Sequence, residues 1–511
     1  MKKKSASGTV AAMIAATLLS KLLGLARQII FASVLGDGVY AVAFASASKI
    51  TLSVFDMLFS AAILGCFIPF YSSSESCDEE RARLFSSSFF TFTLIATAVL
   101  SLLGALFSRE IISICTPNLS ERASRLAAKL LSIMFPMMIF TGAAYVLVGI
   151  LQSHGSFILP ALISSLSNAL IIVWLLVGGD IGSDRGISVL AGVYVLSWAV
   201  QLLTLAVPLM KRRLFPSISL RFSESGLHAA LKMSPTVIVG AWLLPASALA
   251  ANFFSSLVSD ETVAAFDYSL SVWTIAAGVL TYGVCNFIFP KLSRLSGDGE
   301  GFLAVARRGV GSALLLSLPV AAGMWALGEN IICVLYMRGN FTAELASSCG
   351  RILSALAVSA PAYCVTEVLF RVFYAKKSAF VPMAASISGI CALAVSGTVS
   401  HFSGGGETGV AVSYCVGQYT AAIVLTFVAS KRFSGFISAK DAPKAILGAV
   451  SAAICALVCR TGVMISGENA TNSSLIENFL ICAIVFLCGC VVYLICMIIF
   501  GLIKSPVGKE D

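Results

Sequence analysis

The stretch SKLLGLARQIIFASVLGDGVYAVAFASASKITLSVFDMLFS, residues 20–60, decides the fold, because it holds parts of two long apolar runs that are each interrupted by cations. An apolar run of about 20 residues crosses a hydrocarbon core about 30 Å thick as a helix. A charge placed there costs at least about 2.5–3.5 kcal/mol on insertion scales, so it tends to face a wet cavity and to mark a pathway. Lys21 and Arg27 lie in the first run and Lys49 in the second. Cations on such a pathway point to an anionic cargo.

Similar runs recur from end to end. Of the 511 residues 58% are apolar and only 12% charged, with a mean hydropathy of +0.95, a balance foreign to soluble domains of this size. The reading is an all-α polytopic membrane protein of about 14 transmembrane helices. The expected spans are 9–35, 39–71, 84–107, 123–152, 157–178, 187–210, 227–257, 262–289, 307–327, 344–374, 380–401, 408–430, 441–461 and 475–503. Lys2, Lys3 and Lys4 precede the first of them, as in a secretory signal, but that run carries Lys21 and Arg27 and exceeds signal length, so it reads as a retained helix.

Loop cations set the orientation. One side receives Lys2, Lys3, Lys4, Arg81, Arg83, Lys211, Arg212, Arg213, Arg221, Lys291, Arg294, Arg307, Arg308, Lys376, Lys377, Lys431, Arg432, Lys440, Lys444, Lys504 and Lys509, and the other far fewer. The positive-inside rule then places both termini in the cytoplasm, as an even span count requires. The net charge of +9 calls for no nucleic-acid partner, since orientation and contact with anionic membrane lipids account for it.

An internal repeat organises the chain. CFIPFYSS (66–73) corresponds to NFIFPKLS (286–293), with Pro69 and Pro290 separated by 221 residues. GILQSHGSFILPA (149–161) corresponds to FRVFYAKKSAFVPM (370–383), with Pro160 and Pro382 separated by 222. The first twelve spans therefore read as two six-helix lobes, 1–225 and 226–435, and residues 436–511 as two additional C-terminal helices. Parallel repeats of this kind carry a substrate site between them near the midplane.

Other chemistries lack their residues. The 15 cysteines are scattered without a CxxC pair, and His154, His228 and His401 lie far apart, so neither a metal nor a cofactor is expected. The GGGETG run at 404–409 lacks the Lys-Ser/Thr of a P-loop. No loop is long enough for a catalytic domain, so no catalytic residue is assigned and the protein reads as a non-enzyme.

Within the first two spans, Lys21 and Arg27 are six residues apart, rotated by roughly 120°, whereas Lys49 and Asp56, seven apart, share nearly one face with Ser46, Ser53 and Ser60. In one reading Lys21, Arg27 and Lys49 hold a diphosphate and Asp56 tunes its release. In the other, Lys21 and Arg27 snorkel to the interfaces and Lys49 pairs with Asp56 or a carbonyl. Arg suits a two-point grip on phosphate and Lys acts as a mobile point charge, so the first reading is preferred for Arg27 and Lys49. Asp267 in the eighth span, with Ser271 nearby, is a candidate gate or coupling-ion site, although no ion is named by the sequence. Glu367 and Arg371 are spaced for an i, i+4 ion pair that braces a helix end.

The chain also resembles the MurJ (MviN) lipid II flippase family of the MOP transporter superfamily, from the first span through at least the twelfth. The carriers are SKLLGLARQ (20–28), CFIPFYSS (66–73), LLSIMFPMMIF (130–140), GILQSHGSFILPA (149–161), FIFPKLSRLS (287–296), LYMRGNFTAE (335–344) and VFYAKKSAFVP (372–382). The resemblance implies two lobes in rocker-switch exchange and export of the undecaprenyl-diphosphate-linked peptidoglycan precursor to the outer leaflet. It further implies a lipid-tail groove in the last two helices and a link to the cell-wall synthesis machinery. It carries cavity roles to Lys21, Arg27 and Lys49, with Ser20 beside the first. The sequence departs from the family pattern at Val42, where an aspartate is usual, at Gln28, usually an acid, at Phe55 and Asp56, a position often basic, and at Ser271, in place of an eighth-span arginine. Export of another undecaprenyl-linked oligosaccharide, teichoic or capsular, and a MOP-type multidrug/cation antiporter are the competing functions. An antiporter for cationic drugs should favour carboxylates in the first two spans, and these show cations.

Overall fold

The computed structural model describes residues 6–60, 66–75, 78–295, 299–436, 441–466 and 470–502, and these residues are helical with no strand among them. They group into two compact units, 1–264 and 265–511.

The first unit holds α1 (Ala6–Leu35), α2 (Val39–Phe55) and a π-helical turn (Asp56–Ser60). After these come α3 (Ile68–Glu75), α4 (Glu79–Leu106), α5 (Ser108–Cys115), α6 (Glu121–Met134), α7 (Met137–Ser153), α8 (Ile158–Val177) and α9 (Asp184–Lys211). α10 (Leu227–Gly240) and α11 (Leu243–Val258) complete it, packing on α2, the π turn, α4 and α5. α12 (Asp260–Arg294) begins in the first unit and continues into the second. The second unit contains α13 (Gly299–Tyr336), α14 (Ala343–Ala357), α15 (Ala360–Ala375), α16 (Phe380–Phe402), α17 (Gly406–Arg432), α18 (Asp441–Ser466) and α19 (Leu475–Ile499).

Among the described residues eleven helices are long and apolar enough to cross a membrane, or up to 13 if two bent pairs each count as one span. The number falls short of the expected 14 because some apolar runs are broken. α6 and α7 meet at 42°, with Pro136 at the junction, and α14 and α15 meet at 47°, with Pro361 in the first turn of α15. Proline removes a backbone donor and crowds the carbonyl of the preceding turn, which bends or ends a helix. The expected span 227–257 is divided into α10 and α11, which carry Pro235 and Pro245. The expected span 39–71 holds α2, the π turn and the start of α3, and its residues 61–65 lie outside the described residues.

The helices repeat in register. α2 and α12 start 221 residues apart. α6 and α14, α8 and α16, and α9 and α17 each start 222 apart. Pro160 and Pro382 are both the third residue of their helices, where no intrahelical donor is needed, so these prolines mark equivalent starts. The 69/290 pair is less informative, since the Pro290 side chain lies outside the described residues.

α18 and α19 are anchored to the second unit through α13. Asn330 donates to Asn478 at 2.8 Å, and the Tyr493 hydroxyl donates to the Leu315 carbonyl at 2.9 Å. Hydrogen bonds between helices act as local glue where the surrounding solvent is hydrocarbon. Only 11% of the most apolar window of α19 is buried, so most of its length faces outward, as a lipid-bathed helix does. Gly489 lets α18 approach closely, since a Cβ there would lie 2.5 Å from the Cys459 sulfur and 3.1 Å from that of Cys455. Gly489→Leu is therefore expected to force α18 and α19 apart and to destabilise the protein by about 1–3 kcal/mol. A thermal unfolding scan in detergent checks this, and an unchanged midpoint would refute the close-packing account.

Candidate functional site

α1 meets α8 along a stripe of small and polar residues. Ser20 is 8% exposed and hydrogen-bonds the Ser164 hydroxyl, while Asn168 Nδ2 donates to the Ser20 carbonyl at 3.5 Å. One turn on, Gly24 keeps the same approach open, as a Cβ there would meet Asn168 at 3.5 Å. Gln28, a further turn along, is buried too. The Ser20 hydroxyl is thus part of a helix–helix seam. Lys21, one residue round the helix, is half-buried.

Arg27 is half-buried. Its Nη1 donates to the hydroxyl of Tyr194 on α9, and its Cζ lies 5.3 Å from the centre of the Tyr194 ring. Tyr194 is itself buried and braced edge-on by Phe44 of α2 at 5.4 Å, and Phe44 packs on Phe31 of α1 at 5.0 Å. Among the described residues no carboxylate pairs with Arg27, and its partner is a neutral phenol that orients the guanidinium without neutralising it. The hydrogen bond to a charged donor contributes about 1.5–3 kcal/mol and the cation–π contact about 0.5–2, together comparable to the insertion cost of the charge. A guanidinium has five N–H donors, so one phenol leaves others to grip an anion.

Depth along the helices separates the charges into two levels. Arg27 lies eight residues before the end of α1 and Lys49 ten residues after the start of α2, about 12 and 15 Å from the turn that joins them. That is close to the midplane of a 30 Å core. Lys21 and Asp56 lie further from the turn, about 21 and 26 Å by the same measure. Lys49 is half-buried and Asp56 exposed. The polar face expected around them is altered, because Ser46 and Ser53 are buried in the unit and the Ser60 side chain lies outside the described residues.

Asp56 begins the π-helical turn, where the backbone ladder widens. The indole Nε1 of Trp242 donates to the Met57 carbonyl at 2.8 Å, supplying that turn with a partner from the break between α10 and α11. Single π turns of this sort recur where a helix carries function.

In the second unit Asp267 is half-buried on α12, and Ser271 donates its hydroxyl to the Asp267 carbonyl at 2.8 Å. With α2 and α12 in register at 221 residues, Lys49 corresponds to Leu270. Arg27 corresponds to Ala248 and Lys21 to Trp242, each 221 later. The second copy has therefore lost all three cations. Two of its arginines are paired, Arg371 with Glu367 at 3.0 Å, the brace expected from their spacing, and Arg351 with Glu407 at 2.7 Å.

Tyr194 and Trp242 were not singled out by sequence. Their signal was present in principle, since tyrosine and tryptophan concentrate at the membrane interfaces and one in the middle of a span has a polar atom to satisfy. Tyr194→Phe keeps the ring and removes the acceptor. It is expected to cost about 1–2 kcal/mol of stability and to leave secondary structure intact, measured by thermal unfolding with circular dichroism. An unchanged midpoint would mean that the phenol does not hold Arg27.

A family model described as "Lipid II flippase MurJ" matches residues 31–499, a range that begins after Lys21 and Arg27. The "Probable lipid II flippase MurJ" of Bdellovibrio bacteriovorus is 28% identical over 386 residues, covering 73% of this chain and 72% of that protein. The protein of the same name from Synechocystis is 28% identical over 396 residues, covering 73% and 72%. Among solved structures, "Lipid II flippase MurJ, inward closed conformation" superposes with a TM-score of 0.79 at 21% identity, covering 96% of this chain and 98% of that one. An inward-facing multidrug resistance MATE transporter of the MOP superfamily gives 0.67 at 16%, covering 83% and 98%. At these identities the structural matches speak for the fold.

Proposed function

The chain belongs to the lipid II flippase MurJ family, and from that premise we propose that Arg27 and Lys49 grip the diphosphate of the lipid-linked peptidoglycan precursor as its headgroup crosses the membrane. The protein is a multi-pass membrane transporter of lipid II. The observation that carries the proposed site is an arginine at mid-membrane depth held by a neutral phenol, with a lysine at the same level.

The physical problem is that a polar headgroup cannot enter hydrocarbon unless its hydrogen bonds are satisfied, whereas its prenyl tail is at home there. A hydrated cleft lined by fixed cations replaces the water shell of the diphosphate. Arg27, oriented by Tyr194, offers paired donors, and Lys49 adds a mobile charge. Lys21 and Asp56, displaced along the same two helices, lie at a second level, where a cation draws the headgroup and an exposed carboxylate repels it and favours release. No bond is made or broken in this scheme. The repeated helices act as two lobes, 1–225 and 226–435, that expose the site alternately to each side. α18 and α19 accommodate the lipid tail.

Buried neutral residues at Val42 and Gln28 fit a site with few internal carboxylates, since an acid at either position would compete with the cargo for the cations. Cations rather than carboxylates in the first two helices disfavour a cation antiporter, despite the shared fold. The excess of loop cations on one side supports a bacterial cytoplasmic membrane location with both termini inside.

Arg27→Ala and Lys49→Ala are each expected to lower lipid II transport about tenfold or more, the equivalent of one charge-assisted contact. Arg27→Lys should retain part of it. The readout is growth of a flippase-depleted strain at matched expression, together with precursor accessibility at the outer leaflet. Normal growth of both alanine variants would remove these residues from the pathway.

A further inference from the structure

A second cavity, distinct from the cationic site on α1 and α2, lies wholly within the second unit between α12 and α13, with a volume of about 600 Å³. On α13 its wall is Val305, Gly309, Ser312 and Leu316, one face of a helix. On α12 the facing residues run from Val279 and Leu280 through Val284 and Ile288 to Lys291. Arg308 of α13 joins Lys291 among the lining residues, near the ends that the 295–298 connection links. The groove is therefore apolar along most of its length and cationic at one end. From Leu280 to Lys291 it extends about 16 Å, close to the depth of one leaflet.

Its depth comes from glycines. A Cβ at Gly309 would sit 2.7 Å from Ile288 and 3.2 Å from Val368, so the floor closes tightly there. A Cβ at Gly283 would meet nothing within 4 Å, so the groove stays open above it.

We propose that this groove binds an anionic phospholipid of the membrane, with the phosphate between Lys291 and Arg308 and one acyl chain along the apolar wall. A guanidinium and an ammonium at one mouth are complementary to a phosphodiester. The chain of such a lipid loses nothing on leaving bulk hydrocarbon for an apolar groove, so charge selects the occupant. The transported precursor fits less well, because its sugars and peptide need polar partners and, among the described residues, the wall supplies few beyond Ser312 and the two cations. The site thus adds a lipid-sensing element on the copy of the repeat that has lost its pathway cations, and it holds whatever the cargo is.

The test uses the full chain purified in detergent, with bound lipid counted by native mass spectrometry against phosphatidylglycerol, phosphatidylcholine of the same chains, and inorganic phosphate alone. Wild type should prefer phosphatidylglycerol by on the order of tenfold, as expected for two cations near a headgroup. Lys291→Gln with Arg308→Gln should abolish that preference. Gly283→Leu, which fills the groove and leaves the charges, should weaken phosphatidylglycerol binding and leave any phosphate binding unchanged. Equal binding of the two lipids by wild type would overturn the proposal, as would a preference that survives the double substitution. Phosphate competing as well as the lipid while Gly283→Leu has no effect would reduce the groove to an ion site and overturn it too.

Discussion

A positive charge in hydrocarbon must be solvated by something, and in this protein the solvation of Arg27 organises the first unit. The guanidinium is oriented by the Tyr194 hydroxyl and lies against its ring, Tyr194 is wedged by Phe44, and Phe44 is packed on Phe31. Three helices, α1, α2 and α9, are thereby tied to one cation near the midplane. A carboxylate partner would have solved the same problem and cancelled the charge. A phenol stabilises the side chain while leaving its field in place, which is the arrangement needed to attract a polyanion and to let it go again.

The duplication shows how such a site arises from a symmetric scaffold. Helix starts recur at 221 or 222 residues and the bent pairs recur with them, so both copies share one backbone plan. The side chains have diverged within it. Where the first copy has Lys21, Arg27 and Lys49, the second has Trp242, Ala248 and Leu270, and Trp242 now serves the π turn after Asp56 through the Met57 carbonyl. In the first copy Arg27 is held by the Tyr194 phenol. In the other, Arg351 and Arg371 are closed by Glu407 and Glu367.

The second unit carries the features that meet lipid. α19 presents most of its surface outward and is held to α13 by two polar contacts, Asn330 to Asn478 and Tyr493 to Leu315. On another face of α13 the α12 groove ends in Lys291 and Arg308. Both follow one rule: in a medium as apolar as leucine, helices are positioned by small residues and hydrogen bonds, and charge is placed where a phosphate can reach it.

Hydropathy, the 221–222 offset and the three interrupting cations were legible in the sequence, because length, periodicity and charge are properties of the chain alone. They determined an all-helical, multi-pass, internally repeated protein with an anionic cargo, and the motifs around Arg27, Pro69, Pro160 and Pro382 pointed to its family. The partners of the charges were not legible. Tyr194 lies 167 residues from Arg27 and Trp242 lies 185 from Met57, and no local pattern reports which distant helices will touch. Tertiary packing also placed Ser20 in a seam and Ser46 and Ser53 inside the unit, and it broke three apolar runs that hydropathy alone reads as continuous spans. The physical reason is that burial in a membrane protein depends on which face of each helix meets another helix, a choice made among all the helices at once.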